Sequence, residues 1–297
     1  MKTEWIAVDW GTSHLRAWAM DGGAVLDSAR SEQGMARLAK GEFQAALLAL
    51  IESWLDDAPV DVIACGMVGA RQGWVEAPYT AVPSAPVPDT PIRVPGTDPR
   101  IRAFVVPGLK QNAPPDVMRG EETQIAGFLD SHPNWDGVIC LPGTHTKWAQ
   151  VSANEVVSFR TFMTGELFDL LRGHSVLQHS VGDGWDTAAF AEAVEDTLSK
   201  PEQLAARLFG LRAADLLHAQ DAGTARARLS GLLIGAELAA SRPYWLGQQI
   251  AIIGAEELSA VYAQALQPQG AFVETADATQ STLAGLTRAR NLTRQTA

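Results

Sequence analysis

The chain has 297 residues, 46% of them hydrophobic and 19% charged, and a formal net charge of −11. This length suffices for a large core divided between two domains, and the acidic charge argues against nucleic acid or an anionic membrane as a partner. Cys65 and Cys140 lie singly in apolar runs without metal-ligand spacing, as in a reduced cytoplasmic protein. We find no leader and no apolar run of about 18 residues, so neither secretion nor a membrane span is predicted.

The first predicted unit is a strand, a tight turn and a second strand within residues 1–20. Residues 6–8 form a short apolar run typical of a buried strand, and residues 14–19 alternate as a half-buried strand does. Asp9 stands at the tip of the first strand. A carboxylate beside a turn rich in donors suits a magnesium-bound polyphosphate, although a hairpin whose Asp9 satisfies local N–H groups is the alternative. The turn residues are Gly11, Thr12 and Ser13.

The following stretch reads as a third strand near residue 25, a helix over residues 42–55 and a buried strand over residues 60–65. Residues 78–107 are rich in proline, and this segment is interpreted either as a domain linker or as an ordered wall over a pocket. Helical spacing of apolar residues returns over residues 116–130. The acidic pair that opens this helix is typical of residues that complement the helix dipole.

Residues 135–151 repeat the opening pattern, because an apolar strand again runs into a turn and a second strand. Two hairpins of one type indicate an internal duplication, and their turns facing each other could hold one phosphate chain from both sides. Lys147 would add a cation near the phosphates, or it is a solvated residue of an edge strand. The residues of this second turn are Gly143, Thr144, His145 and Thr146.

Two later segments suit a nucleotide site. Residues 225–240 are apolar nearly all round and contain Gly231 and Gly235, which favours close packing against a neighbouring helix or a flat ligand face. Residues 249–255 form a buried strand that ends near Gly254 and leads into a helix. Such a unit presents a helix N-terminus and bare backbone to a ligand such as an adenine nucleotide, although it could be an ordinary βα unit.

Three segments together resemble the motifs of the acetate/sugar kinase–Hsp70–actin superfamily: IAVDWGTS and VICLPGTHTKW resemble its phosphate motifs, and IAIIGAEELSAVYAQAL its adenosine motif. More closely, the chain resembles the 2-dehydro-3-deoxygalactonokinase family from end to end. The segments that carry this resemblance are DWGTSHLRAW, GMVGARQGWVEAPY, MRGEETQIAG, LPGTHTKW and FMTGELFDLL. Ala255 occupies the position at which the adenosine motif often has a second glycine.

The resemblance implies an α/β fold in which a ribonuclease-H-like unit is duplicated into two domains with a cleft between them, as in actin-like ATPases. We expect an N-terminal domain over residues 1–110 with the first phosphate hairpin and a substrate-binding segment. A C-terminal domain over residues 111–297 would contain the second hairpin and the adenosine-binding region. The last helix could pack back on the N-terminal domain.

The family phosphorylates the 6-hydroxyl of 2-dehydro-3-deoxy-D-galactonate in galactonate and galactose catabolism, using ATP and Mg²⁺. Phosphoryl transfer needs a metal-neutralised phosphate chain, an in-line hydroxyl and a carboxylate that accepts its proton. Asp9 is the expected metal-side carboxylate. Exopolyphosphatase relatives carry a similar pair of glutamates of which the second acts, so Glu122 is the expected base and Glu121 the alternative.

The acid group of the substrate requires a cation, and a guanidinium binds a carboxylate in bidentate fashion. Arg16 could instead face the phosphates, and Arg119 could form a purely structural ion pair. The candidates for the substrate site are Arg16, Arg71, Gln72, Arg119 and Lys147.

Three other functions are considered. One is a kinase for another sugar or sugar acid. Another is an exopolyphosphatase-like hydrolase, which would need a long basic channel that this acidic chain does not show. An ATP-driven binding module like Hsp70 or actin would be a longer chain with extra subdomains. The expected partners are therefore a small sugar acid and ATP, and a homodimer is left open.

Overall fold

The computed structural model describes residues 2–295, which divide into two compact units. The first unit extends beyond the predicted boundary at residue 110, because a short strand and a helix that follow it belong to that unit. The last helix joins the first unit as well. Residues 1, 296 and 297 of the predicted domain ranges lie outside the described residues. The first unit comprises residues 2–136, 151–158 and 278–295, and the second comprises residues 137–150 and 159–277.

The first unit is built on a six-stranded sheet in the order β3-β2-β1-β4-β7-β6, with a second sheet in the order β5-β8-β9. Strands β1, β4 and β7 run parallel, whereas β1, β2 and β3 pair antiparallel as consecutive hairpins. The elements are β1 (Trp5–Trp10), β2 (Leu15–Asp21), β3 (Ala24–Ser31), α1 (Phe43–Ile51), β4 (Val60–Gly66), β5 (Tyr79–Ala81), β6 (Ile92–Arg93), β7 (Ile101–Val105), β8 (Gly108–Asn112), β9 (Pro115–Met118) and α2 (Glu121–Ser131).

The rest of the chain forms a five-stranded sheet in the order β12-β11-β10-β13-β14 and a group of helices. Strands β10, β13 and β14 are parallel neighbours. None of the helices in residues 2–295 is long and apolar enough to cross a bilayer. The elements are β10 (Gly137–Leu141), β11 (Thr146–Ser152), β12 (Glu155–Phe162), α3 (Thr164–His174), α4 (Thr187–Ser199), α5 (Leu204–His218), α6 (Ala222–Ala240), α7 (Arg242–Trp245), β13 (Gln249–Gly254), α8 (Glu256–Leu266), β14 (Phe272–Asp277) and α9 (Ala278–Gln295).

The two large sheets share one topology. In each sheet three consecutive strands lie side by side, and two further parallel strands follow next to the first of the three. The connection between β10 and β11 is four residues long, which is short enough for antiparallel neighbours and too short for a parallel crossover. The predicted α/β fold with a duplicated ribonuclease-H-like unit is therefore confirmed.

The proline-rich segment is part of the first unit. Within it, β5 pairs with β8, and β6 pairs with β7 at the edge of the large sheet. Ser84 also forms a bridge with Val156 through backbone hydrogen bonds. The segment is thus an ordered part of one unit and not a linker between the two.

Alternation along β1 determines which way its last residues point. Successive side chains of a strand face opposite sides of the sheet. Ile6, Val8 and Trp10 therefore join the cluster that contains α1. Trp5 and Ala7 join the opposite cluster, to which α2 and α9 contribute. Asp9 continues this second set, so the strand directs its carboxylate to the side of the sheet on which α2 packs.

Helices α2 and α9 approach closely through two glycines. A β-carbon at Gly127 would lie 1.9 Å from the carbonyl oxygen of Ser281, and one at Gly285 would lie 1.9 Å from that of Thr123. Neither position has room for a methyl group unless the helix backbones separate. Because Thr123 is in the first turn of α2, this contact also fixes the start of that helix.

We expect Gly285→Ala to lower the stability of the protein. The helix propensity of alanine should favour the variant by about 1 kcal/mol, but overpacking against the backbone of α2 costs about 1–3 kcal/mol or more. Thermal unfolding of Gly285→Ala and of Gly210→Ala measures the difference. Gly210 lies in α5 with nothing within 4 Å of an added β-carbon, so its variant should be as stable as the parent or more stable. A Tm of Gly285→Ala at or above that of the parent would contradict the close contact.

Candidate active site

Asp9 lies at the end of β1, where it is opposite Arg16 on β2 and Cys65 on β4. Its carboxylate forms a short ion pair with the guanidinium of Arg16, and Cys65 Sγ lies 4.0 Å from Asp9 Oδ1. The side chain of Asp9 is 19% exposed. Asp9 is therefore an accessible carboxylate at the carboxyl end of a central strand, with a cation already beside it.

The segment that follows β3 holds the first turn through backbone hydrogen bonds. The backbone N–H groups of Met35 and Ala36 donate to the carbonyl oxygens of Gly11 and Thr12. A β-carbon at Gly34 would lie 2.2 Å from the carbonyl carbon of Ser13, so only glycine permits this approach. The side chains of Thr12 and Ser13 remain exposed, as a phosphate-binding turn requires.

Two glycines with positive φ bring the start of α2 to the end of β4. Gly66 has a φ of 92°, and Gly120, which precedes α2, has a φ of 110°. A β-carbon at Gly66 would lie 2.7 Å from the carbonyl oxygen of Trp10, and one at Gly120 would lie 3.3 Å from Gly66 Cα. The ends of β1 and β4 and the start of α2 therefore meet with almost no side-chain volume between them.

Glu122 is fully buried (0% exposed) in the first turn of α2. Its two carboxyl oxygens accept hydrogen bonds from the backbone N–H of Gly120 at 2.7 and 2.9 Å, and Thr123 Oγ1 donates to it at 3.1 Å. Burial raises the pKa of Glu122 to about 8, with a further contribution from the charge of Glu121; the hydrogen bonds and Arg119 act against this rise. Glu122 thus changes protonation state near neutral pH.

Glu121 is partly exposed and differs from its neighbour in its contacts. Its Oε2 accepts a hydrogen bond from the backbone N–H of Arg119 at 3.0 Å.

Burial is the largest cause of the raised pKa of the Cys65 thiol, and the charges of Asp9 and Glu122 raise this pKa further. The structure thus brings two of the predicted catalytic carboxylates, Asp9 and Glu122, around one buried cysteine.

The three candidate arginines have different environments. Arg16 is paired with Asp9, and Arg71 is a surface residue, 82% exposed, with its Nε 3.7 Å from Glu76. Arg119 is buried (8% exposed), and its guanidinium lies 4.2 Å from the centroid of the Tyr79 ring.

The acceptors around Arg119 are neutral. Nη2 donates to the carbonyl oxygen of Ala77 at 2.8 Å, and Nε lies 3.4 Å from Tyr79 Oη. Within residues 2–295, Nη1 is buried without an acceptor. A buried guanidinium N–H that lacks an acceptor is rare and costly, so this group is suited to an anionic ligand. Gln72 is exposed on the segment beside Arg71.

In the second unit, the N-terminus of α3 packs against the second turn. A β-carbon at Gly165 would lie 2.3 Å from the carbonyl oxygen of Gly143. The backbone N–H of Glu166 donates to the carbonyl oxygen of Thr144 at 2.9 Å, and its carboxylate lies 2.6 Å from His145 Nε2. The structure therefore combines a Gly/Thr turn with a helix N-terminus, which is a common arrangement for binding phosphate.

Thr146 and Lys147 follow this turn and are buried. Thr146 Oγ1 is hydrogen-bonded to Tyr262 Oη at 2.8 Å, and Lys147 Nζ donates to the carbonyl oxygen of His145 at 3.4 Å. Thr144 and His145 are the exposed members of the turn. Of the four predicted turn residues, Gly143, Thr144 and His145 are exposed or line a cavity, whereas Thr146 is buried and supports the turn.

A cavity of about 790 Å³ opens beside the second turn, a volume within the range of small-molecule sites. One end is formed by the second turn and the start of α3, and the walls come from α6 and α8 with an aromatic side chain before α4. The lining residues include Gly143, Thr164, Trp185, Arg226, Leu233 and Val261.

The three glycines predicted for the nucleotide site do not line this cavity, although a residue next to each of them does. Gly231 and Gly235 face α4, since β-carbons there would lie 2.5 Å from Phe190 O and 2.4 Å from Thr197 Oγ1. Their neighbours in α6 line the cavity instead. Gly254 packs on Pro142, and the following residue, Ala255, lines the cavity.

Several cavity residues were not predicted from the sequence, among them Trp185 and Arg226. Thr164 and Tyr262 lie in the quoted motifs but received no role. A further group behind the cavity wall, the carboxylate of Glu237, was also missed. One signal could have revealed it, because it is the single acidic residue of the mostly apolar segment 225–240.

Asp9 would have to share a metal ion with a ligand. In the described part of the chain, no three His, Cys, Asp or Glu side chains are grouped so that they could hold a metal ion by themselves. Mg²⁺ commonly binds through one or two carboxylates together with substrate phosphates and water. The accessible carboxylate of Asp9 fits that mode of binding.

Comparisons with known proteins agree over nearly the whole chain. The family model of 2-keto-3-deoxy-galactonokinase matches residues 9–289. The chain is 41% identical over 294 residues to the "Probable 2-dehydro-3-deoxygalactonokinase" of Rhizobium meliloti (strain 1021), which covers 95% of each chain. It is 37% identical over 274 residues to the 2-dehydro-3-deoxygalactonokinase of Escherichia coli (strain K12), which covers 91% of each. A crystal structure from Sinorhizobium meliloti has a TM-score of 0.88 and 38% identity, covering 97% of this chain and 98% of that one.

The raised pKa of Glu122 predicts a pH dependence of stability. The carboxyl stays protonated in the fold up to about pH 8, whereas its ordinary pKa is 4.5. The stabilisation that protonated Glu122 contributes is therefore complete below its unfolded-state pKa of 4.5. It is lost in the pH window between 4.5 and about 8 as the pH rises through the folded-state pKa. Stability should fall by up to about 1.4 kcal/mol for each pH unit within this window.

Urea unfolding of the ligand-free protein between pH 5.5 and 8.5 measures this slope. Glu122→Gln should flatten it, whereas Glu121→Gln, at the partly exposed neighbour, should leave most of it in place. Glu237, whose pKa burial raises to about 7, adds a similar loss at lower pH in every variant. Equal slopes in the parent and Glu122→Gln would contradict the buried, protonated carboxyl.

Proposed function

Because the chain belongs to the 2-keto-3-deoxy-galactonokinase family, we propose that it transfers the γ-phosphoryl group of ATP to the 6-hydroxyl of 2-dehydro-3-deoxy-D-galactonate. The family predicted from the motifs is confirmed by the match over residues 9–289, and with it the assignment as an ATP-dependent sugar-acid kinase. The observation that carries the choice of substrate is 37% identity to the Escherichia coli 2-dehydro-3-deoxygalactonokinase over 91% of each chain.

The cavity of the second unit supports ATP as the phosphoryl donor. Its apolar walls from α6 and α8 suit adenosine, and Gly143, Thr144 and the start of α3 suit the phosphates. The first turn, with exposed Thr12 and Ser13 hydroxyls, is proposed as a second set of phosphate donors. Asp9 would hold Mg²⁺, and when bound this ion would neutralise the negative charge of the phosphate chain.

Glu122 is proposed as the general base. The 6-hydroxyl oxygen forms a bond to the γ-phosphorus while the bond from that phosphorus to the bridging oxygen of ADP breaks. The hydroxyl proton passes to the carboxylate. A base whose pKa is raised towards neutrality can accept this proton, and the pKa of Glu122 is about 8. Glu121 is the alternative because its side chain is partly exposed, whereas Glu122 has to move to meet the acceptor.

Arg119 is proposed to bind the carboxylate of the substrate. Its hydrogen-bond acceptors are neutral, and its Nη1 is buried without an acceptor within residues 2–295. Arg71, which is exposed on the surface, is the alternative. Arg16 is the third candidate, but its charge is already paired with Asp9.

A coupled assay of ADP release tests the proposed function. We expect turnover with ATP, Mg²⁺ and 2-dehydro-3-deoxy-D-galactonate, and little ADP release when the acceptor is omitted. Other sugar acids and keto-deoxy sugar acids serve as comparison acceptors. Faster turnover of another sugar acid would refute the proposed substrate. Release of ADP or phosphate without an acceptor would indicate a hydrolase.

The paired glutamates give a direct test of the base. Glu122→Gln should lower kcat by a factor of about 10²–10⁴, the usual contribution of a positioned base, while ATP and the acceptor still bind. In the parent, kcat should rise with pH through the pKa of Glu122, near 8. Steady-state kinetics of Glu121→Gln provide the matched control, with a much smaller effect. A large loss in Glu121→Gln alone would exchange the two roles.

Conservative arginine variants test recognition of the carboxylate. Arg119→Lys removes the bidentate geometry and should raise the KM of the acceptor by about tenfold to a hundredfold, with little change in the KM of ATP. Arg71→Lys is the control at an exposed position, and circular dichroism verifies that both variants fold. If Arg71→Lys raises the acceptor KM and Arg119→Lys does not, the carboxylate site belongs to Arg71.

A further inference from the structure

Glu237 is a buried carboxylate in the last turn of α6, 3% exposed. Three donors surround it: Trp148 Nε1 at 2.8 Å and Tyr262 Oη at 2.9 Å donate to it, and Thr164 Oγ1 makes a short hydrogen bond to the same carboxylate. Burial raises its pKa to about 7, and the three hydrogen bonds oppose that rise. All three donors are neutral, so the buried charge depends on these bonds.

The hydrogen bonds of Glu237 connect α6 with β11, α3 and α8, next to the cavity beside the second turn. Trp148 lies on β11, Thr164 begins α3 and Tyr262 lies on α8. Tyr262 Oη also bonds to Thr146 Oγ1 at 2.8 Å, directly after the second turn. Thr164 and Tyr262 themselves line the cavity, whereas Glu237 lies behind its wall.

Burying a carboxylate at this position costs free energy. Replacing a buried polar group and its partners with apolar residues of similar volume is often neutral or stabilising, and the cluster around Glu237 is otherwise rich in Ile, Leu, Val and Phe. A hydrogen-bonded carboxylate specifies geometry more strictly than apolar packing does, because its bonds form only when the donors are in one arrangement. That arrangement fixes the second turn, the start of α3 and α8 relative to one another.

We propose that Glu237 is the positioning residue of the nucleotide site, which holds Thr146, Thr164 and Tyr262 in the arrangement that binds ATP. The proposal rests on the proposed kinase function. It concerns the affinity for the nucleotide and not the chemical step, so the effect of losing Glu237 should appear in the KM of ATP and the Kd of ADP. The KM of the acceptor and kcat at saturating ATP should change little.

Two substitutions at Glu237 separate hydrogen bonding from packing. Glu237→Leu fills the space but removes the acceptor that Trp148, Thr164 and Tyr262 share. Glu237→Gln retains one carbonyl acceptor, and its amide can donate to the hydroxyls of Thr164 and Tyr262, which also accept. We expect Glu237→Leu to raise the KM of ATP and the Kd of ADP by about tenfold or more. Glu237→Gln should stay within about threefold of the parent, since most of the hydrogen bonds can be formed again.

Thr197→Val is the matched control for a buried hydrogen bond in the same helical layer. Thr197 Oγ1 donates to the carbonyl oxygen of Leu232 on α6 at 2.7 Å, and Thr197 is not among the cavity residues. This variant should lose stability without a change in the KM of ATP. Tyr262→Phe keeps the ring but removes the hydroxyl that links Glu237 to Thr146, so it should raise the KM of ATP by about threefold to tenfold. It also provides the test if Glu237→Leu does not fold.

Isothermal titration with ADP, in the absence of an acceptor, keeps this test independent of the proposed substrate. A parent protein that binds ADP but does not phosphorylate the keto-acid would refute the proposed substrate and leave the test of Glu237 intact. Unchanged ADP affinity in folded Glu237→Leu, or in Tyr262→Phe, would refute the positioning role. An equal loss of affinity in Thr197→Val would also refute it, because general loosening of the helices would then be the cause.

Discussion

The contact between Gly66 and Gly120 is the constraint on which the chemistry of the first unit depends. Both residues have positive φ, and neither has a side chain to separate the end of β4 from the start of α2. The carboxylate of Glu122 can therefore enter the protein interior near Asp9 while its oxygens are still bonded to the backbone N–H of Gly120. Any side chain at these two positions would move the glutamate away from the strand that carries Asp9.

Glu122 and Glu237 are both buried carboxylates, but the groups that surround them differ. Two charged groups act on Glu122 besides its burial, since Glu121 raises its pKa and Arg119 lowers it. The hydrogen-bond donors to Glu237 are neutral side chains. A group balanced between charges responds to an arriving anion or cation, whereas a group held by neutral donors serves as a fixed centre. This difference agrees with the separate roles proposed for them.

Much of the fold could be predicted because its signals are local. The two hairpins were visible from apolar runs that end in Gly/Thr turns, and the duplication followed from their repetition. The cavity beside the second turn was harder to predict, because α6 is apolar nearly all round and its sequence does not tell which residues face α4 and which line the cavity. Gly231 and Gly235 were expected to pack against a neighbouring helix or a flat ligand face, and in the structure they accommodate α4. The burial of Glu122 could not be foreseen either, since it depends on contacts between residues far apart in the chain.

The packing of α9 on α2 has a consequence for how the protein is made. The first unit takes most of its residues from the start of the chain, yet α9 comes last and supplies Leu286 and Ala289 to the core that also contains Trp5 and Ala7. Domains usually fold in order as they leave the ribosome. Here the part of the sheet face that α9 covers stays exposed throughout synthesis of the second unit. This exposed apolar surface makes the nascent first unit prone to aggregation until α9 has been synthesised.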